Sequence, residues 1–131
     1  MEKNFDKWIN EKKKIHEESV APFYNEREIW WCALGVNVGF EQDGTGKNFD
    51  RPILIIKGFN KNTFTSIALT GRIKKGKYYH YLGKIEDRDS TANLSQIKLI
   101  DSKRLIKKMG TLNEKTFKEV QNKLKKMLFD S

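Results

Sequence analysis

The chain carries 26 lysines and arginines against 17 acidic residues in 131, a formal net charge of +9, and it has one cysteine. That length supports one domain with its own core, and the lone Cys32 excludes both an intramolecular disulfide and a cysteine-built zinc site. With no leader sequence and no apolar run long enough to span a bilayer, the expectation is a cytoplasmic protein with an anionic partner and no membrane contact.

The first segment, "NFDKWINEKKKIHEESV", sets Phe5, Trp8, Ile9 and Ile15 on one face at helical spacing, with Asn4 as N-cap. It reads either as a helix docked through Trp8 or as an arm for a partner, and Pro22 ends it. From Arg27 the texture becomes β: "REIWWCAL", "RPILIIKG", "TFTSIALT" (63–70), "KYYHYLG" (77–83) and "STANLSQIKLI" (90–100) predict about five strands. Ile53 to Ile56 run without alternation, which predicts a strand covered on both faces. Asp101 opens "DSKRLIKKM", predicted as a short helix stopped by Gly110. Thr111 and Glu114 have capping-box spacing ahead of an apolar stripe of Phe117, Val120, Leu124, Met127 and Leu128, which predicts a final helix. The fold class is therefore α+β, a small, strongly bent sheet or barrel with helices at both ends.

The loop "GFEQDGTGKNFDRP" (39–52) contains a tempting "GTGK". A phosphate-cradling P-loop requires a glycine five residues ahead of the Gly-Lys pair and a hydroxyl residue behind it. Glu41 and Asn48 occupy those positions, and the loop leads into a strand rather than a helix. Nucleotide binding is rejected, as is a calcium loop, whose acidic spacing is missing. What stays is a glycine-punctuated loop that delivers Arg51, with Thr70 at a later strand end. The hairpin "GRIKKGKYYHYLGK" interleaves Arg72, Lys74, Lys75 and Lys77 with tyrosines, a composition that follows a nucleic-acid backbone and stacks on unpaired bases. It also suits a plain charged hairpin with core tyrosines. His80 reads as structural, His16 as solvent-facing, and Cys32 as buried filler.

Taken in order, "REIWWCALG", "GFEQDGT", "RPILII", "IALT" and "LSQIKLIDSKRLIKKMGTL" resemble the MazF/PemK toxin family from about Arg27 to Phe129. The resemblance implies a small SH3-like barrel with appended helices, a helical extension over 1–25 and a toxin domain over 26–131. It further implies a homodimeric, metal-independent endoribonuclease without cofactor that cleaves single-stranded RNA and pairs with an antitoxin protein. The family's catalytic arginine and threonine fall on Arg51 and Thr70. Its RNA-bordering loop falls on Glu41, Gln42, Gly44 and Lys47, and its late strand places Gln96 and Lys98 toward RNA. Two departures stand out: Ser95 replaces a common acidic residue, and Lys98 replaces a common arginine, keeping charge but losing the planar fork. An inactive RNA-binding or gyrase-inhibiting toxin on the same fold is the alternative.

Overall fold

A computed structural model describes residues 21–34 and 50–130. Among them are six strands: β1 (Glu28–Ala33), β2 (Asp50–Gly58), β3 (Thr63–Thr70), β4 (Tyr79–Ile85), β5 (Arg88–Asp101) and β6 (Leu105–Thr111). One helix, α1 (Glu114–Phe129), follows them. The strands form a single curled antiparallel sheet in the order β4-β5-β3-β2-β1-β6. The N-terminal helix expected over the first residues lies outside the described residues.

Both faces of the sheet are apolar in its centre. Ile29, Leu54, Ile67, Leu69 and Leu94 form one core with Phe117, Val120 and Leu124 of α1. Trp30, Cys32, Ile53, Ile55, Phe64 and Ile100 form a second on the opposite face. The unalternating run in β2 follows from this arrangement, since Ile53, Leu54 and Ile55 are all fully buried. A strand with one wet face would have shown period-two polarity instead.

The segment predicted as a helix from Asp101 is not one. Asp101 caps a 3₁₀ turn of three residues, Ser102–Arg104, by accepting from the Lys103 amide at 2.9 Å, and the chain then enters β6. Ser102 is fully buried and donates to the Lys61 carbonyl, which anchors the turn. Leu105 to Thr111 pair with the outer edge of β1, and that ladder satisfies backbone groups that local helix propensity would have satisfied otherwise. This pairing supplies the sixth strand. The helix start also differs from the expected capping box. Leu112, buried and bonded through its amide to the Arg27 carbonyl, separates the sheet from the helix. Asn113 is therefore the N-cap, accepting from the Thr116 amide at 2.8 Å. Glu114 turns instead to the Arg27 guanidinium at 3.1 Å.

Two features, one within β5 and one just ahead of it, shape the region of interest. Up to Ile67 its partner in β3 obeys one register (Thr63 with Asp101, Ile67 with Ile97), but Leu69 pairs with Ala92. The displaced register marks a bulge around 93–96 that bends the strand, a feature that commonly re-aims side chains beside functional sites. Further back, β4 and β5 join through the two-residue turn Glu86-Asp87, with φ of 50° and 60°. Left-handed conformation at both positions is the hairpin turn whose twist matches the strands.

Candidate active site

Where β2 begins and β3 ends, the sheet opens into a cleft of about 250 Å³. Its position follows from pairing. Ile53 lies opposite Ala68, so running that register on by two residues on each strand brings Arg51 level with Thr70. Both side chains line the cleft, with Trp31, Arg72, Arg88 and Asp89. The two residues singled out by the family pattern, 19 positions apart in sequence (70 minus 51), thus meet at one rim.

The local electrostatics favour an anion. Arg51 is half-buried, and desolvation lowers its pKa from the ordinary arginine value. A cation held partly away from water gains more from an anionic partner than an exposed one does. Arg72 and Arg88 add charge, and the Arg88 guanidinium lies over the Trp31 ring, 5.9 Å from its centre. That is a cation–π contact, which draws the guanidinium to the ring face. Asp89 is the carboxylate in the lining, and it accepts from the Tyr81 hydroxyl at 2.7 Å. Thr70 is nearly buried at 9% exposure, and its β5 partner Thr91 donates to the Arg72 carbonyl at 2.7 Å. The last bond fixes the chain just beyond Thr70.

The other residues expected at the site divide into groups. Gln96 and Lys98 line a neighbouring hollow of about 410 Å³, shared with Ile53 and Ala68, each two positions along its strand from Arg51 and Thr70. Ser95 lies there too, its hydroxyl donating to Asn93 Oδ1 at 2.8 Å. Lys74, Lys75 and Lys77 are exposed in the β3–β4 loop and do not line the cleft; Lys74 and Lys77 sit over the rings of Tyr79 and Tyr78 instead. Glu41, Gln42, Gly44 and Lys47 fall outside the described residues. Arg88 was not legible as a site residue. The turn ahead of it, "EDRD", lacks the glycine or asparagine that would flag a tight hairpin and hence bring Arg88 back over Trp31.

Neither Cys32 nor His80, in β4, competes for the chemistry. Burial, with a smaller contribution from Asp50 and against the pull of Arg104 and Lys98, pushes the Cys32 thiol up to about 12. It stays protonated and unreactive at neutral pH. His80 packs toward α1, where Nε2 lies 3.5 Å from Glu119 Oε1, and it does not line the cleft.

The family described as PemK-like, MazF-like toxin of type II toxin–antitoxin system matches residues 25–128. An endoribonuclease MazF of Staphylococcus saprophyticus is 35% identical over 105 residues, covering 72% of this chain and 82% of that protein. Among solved structures, MazF of Deinococcus radiodurans superposes with a TM-score of 0.68 at 18% identity, covering 82% of this chain and 97% of the other. A mycobacterial endoribonuclease in complex with its cognate antitoxin superposes with a TM-score of 0.62 at 16% identity, covering 82% and 95%. At these identities the two structures speak for the fold.

Proposed function

The chain belongs to the PemK-like, MazF-like toxin family of type II toxin–antitoxin systems, and from that premise we propose that it is a metal-independent endoribonuclease cutting single-stranded RNA at short sequence motifs. The observation that carries this reading is the meeting of Arg51 and Thr70 in one cationic cleft. Expected partners are mRNA in the cytoplasm, an antitoxin protein and a second copy of the chain. The exposed Ile97 and Leu99 beside the larger hollow, 36% and 64% accessible, support the last of these. The curled sheet accords with a small SH3-like barrel.

The reaction is attack of a ribose 2′-oxygen on the adjacent phosphorus. The new O2′–P bond forms as the P–O5′ bond breaks, leaving a 2′,3′-cyclic phosphate and a 5′-hydroxyl. One proton leaves O2′ and one reaches O5′. Arg51 holds two phosphoryl oxygens through its fork, an interaction that strengthens as charge accumulates in the transition state. Arg88 and Arg72 hold flanking phosphates. Thr70 orients the attacking hydroxyl, because a threonine keeps its own proton too tightly at neutral pH to serve as base. Among the described lining residues Asp89 is the acceptor for the O2′ proton.

Two results follow. A substrate carrying a single 2′-deoxynucleotide at the scissile position should bind but stay intact, whereas cutting at that position would exclude 2′-oxygen attack. Thr70→Val should lower the cleavage rate about tenfold, the equivalent of one lost hydrogen bond, and Thr70→Ser should restore most of it. Equal rates for all three proteins would remove Thr70 from the chemistry. A non-catalytic RNA binder finds its support in Ser95, which leaves its position in the hollow without a carboxylate, and it predicts binding with no cuts.

A further inference from the structure

A second concavity lies away from the cleft, between the β3–β4 loop and the C-terminal half of α1. It measures about 350 Å³ and is lined by Lys77, Tyr78, Lys123, Lys126, Met127 and Asp130. We infer that this slot holds one nucleotide of the RNA strand beyond the cleavage position, with the base stacked on Tyr78 and its phosphate on Lys77 and Lys126. The inference rests on the reading of this protein as an RNA binder and adds a docking point that the cleft does not supply.

The slot is built rather than incidental. Lys123 donates to the carbonyls of Tyr79 and Gly76, which ties the loop to the helix and fixes the slot floor. Gly76 has a φ of +138°, a conformation that an L side chain rarely adopts, so the turn that presents Lys77 and Tyr78 depends on glycine. Tyr78 is 43% exposed, and the Lys77 ammonium sits 5.0 Å from the centre of its ring. An exposed ring flanked by mobile ammonium groups is the element that single-strand binders use, because every base has a stacking face and every nucleotide a phosphate. Met127 supplies a polarizable thioether beside the ring. Asp130 is the helix C-cap, with its amide bonded to the Lys126 carbonyl; its carboxylate sits in the same lining and tempers the local charge.

Reach decides that one strand can use both places. Arg72 lines the cleft and Lys77 lines the slot. The five intervening steps of backbone span at most about 18 Å when fully extended. An acidic protein surface would value the lysines equally but has less use for the exposed ring and thioether, so RNA is the better-matched occupant.

Binding, not cleavage, tests the slot, so that its failure is separable from failure of the nuclease reading. The probe is a fluorescein-labelled, mixed-sequence 2′-O-methyl oligonucleotide, uncleavable and long enough to span both places, titrated by anisotropy at several salt concentrations. Tyr78→Ala should weaken binding about tenfold at unchanged salt slope, and Tyr78→Phe should bind as wild type does. Lys126→Ala should lower the slope of log affinity against log salt by about 0.7. Lys115→Ala, the same charge removed from the exposed first turn of α1, should leave it unchanged. Circular dichroism confirms that each variant is folded, as expected for exposed positions. Variants that bind the oligonucleotide as wild type does overturn the slot alone. Wild-type protein that binds no RNA overturns both the slot and the RNA reading. Loss of polyglutamate binding in Lys126→Ala, with RNA binding intact, would overturn the slot in favour of an acidic protein dock.

Discussion

Arg51→Ala is expected to slow RNA cleavage by about 10²–10³ while leaving RNA binding within a few-fold of wild type. The asymmetry comes from where the guanidinium acts. Arg72 and Arg88 line the same cleft, so on the proposed reading they would meet flanking phosphates and ground-state affinity would be shared among several cations. The pentacoordinate phosphoryl group, on that reading, would face the half-buried Arg51, which lines the cleft with Thr70. An interaction made mainly in the transition state lowers kcat and kcat/KM together when removed. Arg51→Lys discriminates charge from geometry. The ammonium keeps the positive charge but offers no planar fork, so its rate should fall between wild type and alanine. Single-turnover cleavage of a defined oligonucleotide reads all three. A lysine variant as fast as wild type would mean that charge alone suffices, and an alanine variant with unchanged rate would remove Arg51 from the active site.

The second large effect is on stability and concerns Glu28. The residue is 5% exposed at the junction of β1 and β6. It accepts from the Trp30 indole at 3.0 Å, the Asn25 amide at 2.9 Å and the Asn25 side chain at 3.3 Å, and pairs with Lys108 at 3.0 Å. Burial by itself would raise the pKa; the hydrogen bonds from Trp30, Asn25 and Lys108 together outweigh it, and the net shift is downward. Glu28→Gln keeps the shape but replaces an oxygen facing donors with an NH₂ group. The loss should be about 2–3 kcal/mol, enough to lower the melting temperature by on the order of 10 °C.

The pH dependence has a definite sign. An unfolded glutamate titrates at about 4.3, and in the folded protein Glu28 is shifted downward. Between the two values the unfolded chain binds more protons, so stability rises with pH there. The contribution is complete above the unfolded value and lost as pH falls through the folded one. Urea melts at neutral and strongly acidic pH should therefore show wild type and Glu28→Gln far apart in the first and close together in the second. A gap that does not narrow in acid would contradict the network as described.

Much of the frame was legible because local and global preferences agree. The alternation of "TFTSIALT" places β3 at Thr63–Thr70, the predicted bounds. The solid apolar run in β2 announces two covered faces, and Arg51 and Thr70 stand at the ends of those strands. Where tertiary pairing overrides local preference, the sequence misleads. "DSKRLIKKM" has good helix formers, yet the open edge of β1 offers a ladder and draws Leu105–Thr111 into the sheet. Arg88 stayed hidden for the opposite reason, a tight turn built from Glu86 and Asp87 without the glycine or asparagine that usually marks such a hairpin. The basic loop is charged and aromatic in the sequence itself. Arg72 at its start lines the cleft, but the placement of Lys77 and Tyr78 toward α1 depends on Lys123 in a distant helix and has no local signature.

The central claim is that this cleft cuts RNA through the ribose 2′-oxygen without a metal ion. The most direct test is to incubate the purified protein with a mixed-sequence single-stranded RNA in EDTA and to identify the new ends by mass spectrometry. Discrete cuts with 2′,3′-cyclic phosphate on one side and 5′-hydroxyl on the other are the predicted result. Bound but intact RNA, or cutting that begins only when a divalent metal is restored and leaves 5′-phosphates, would contradict it.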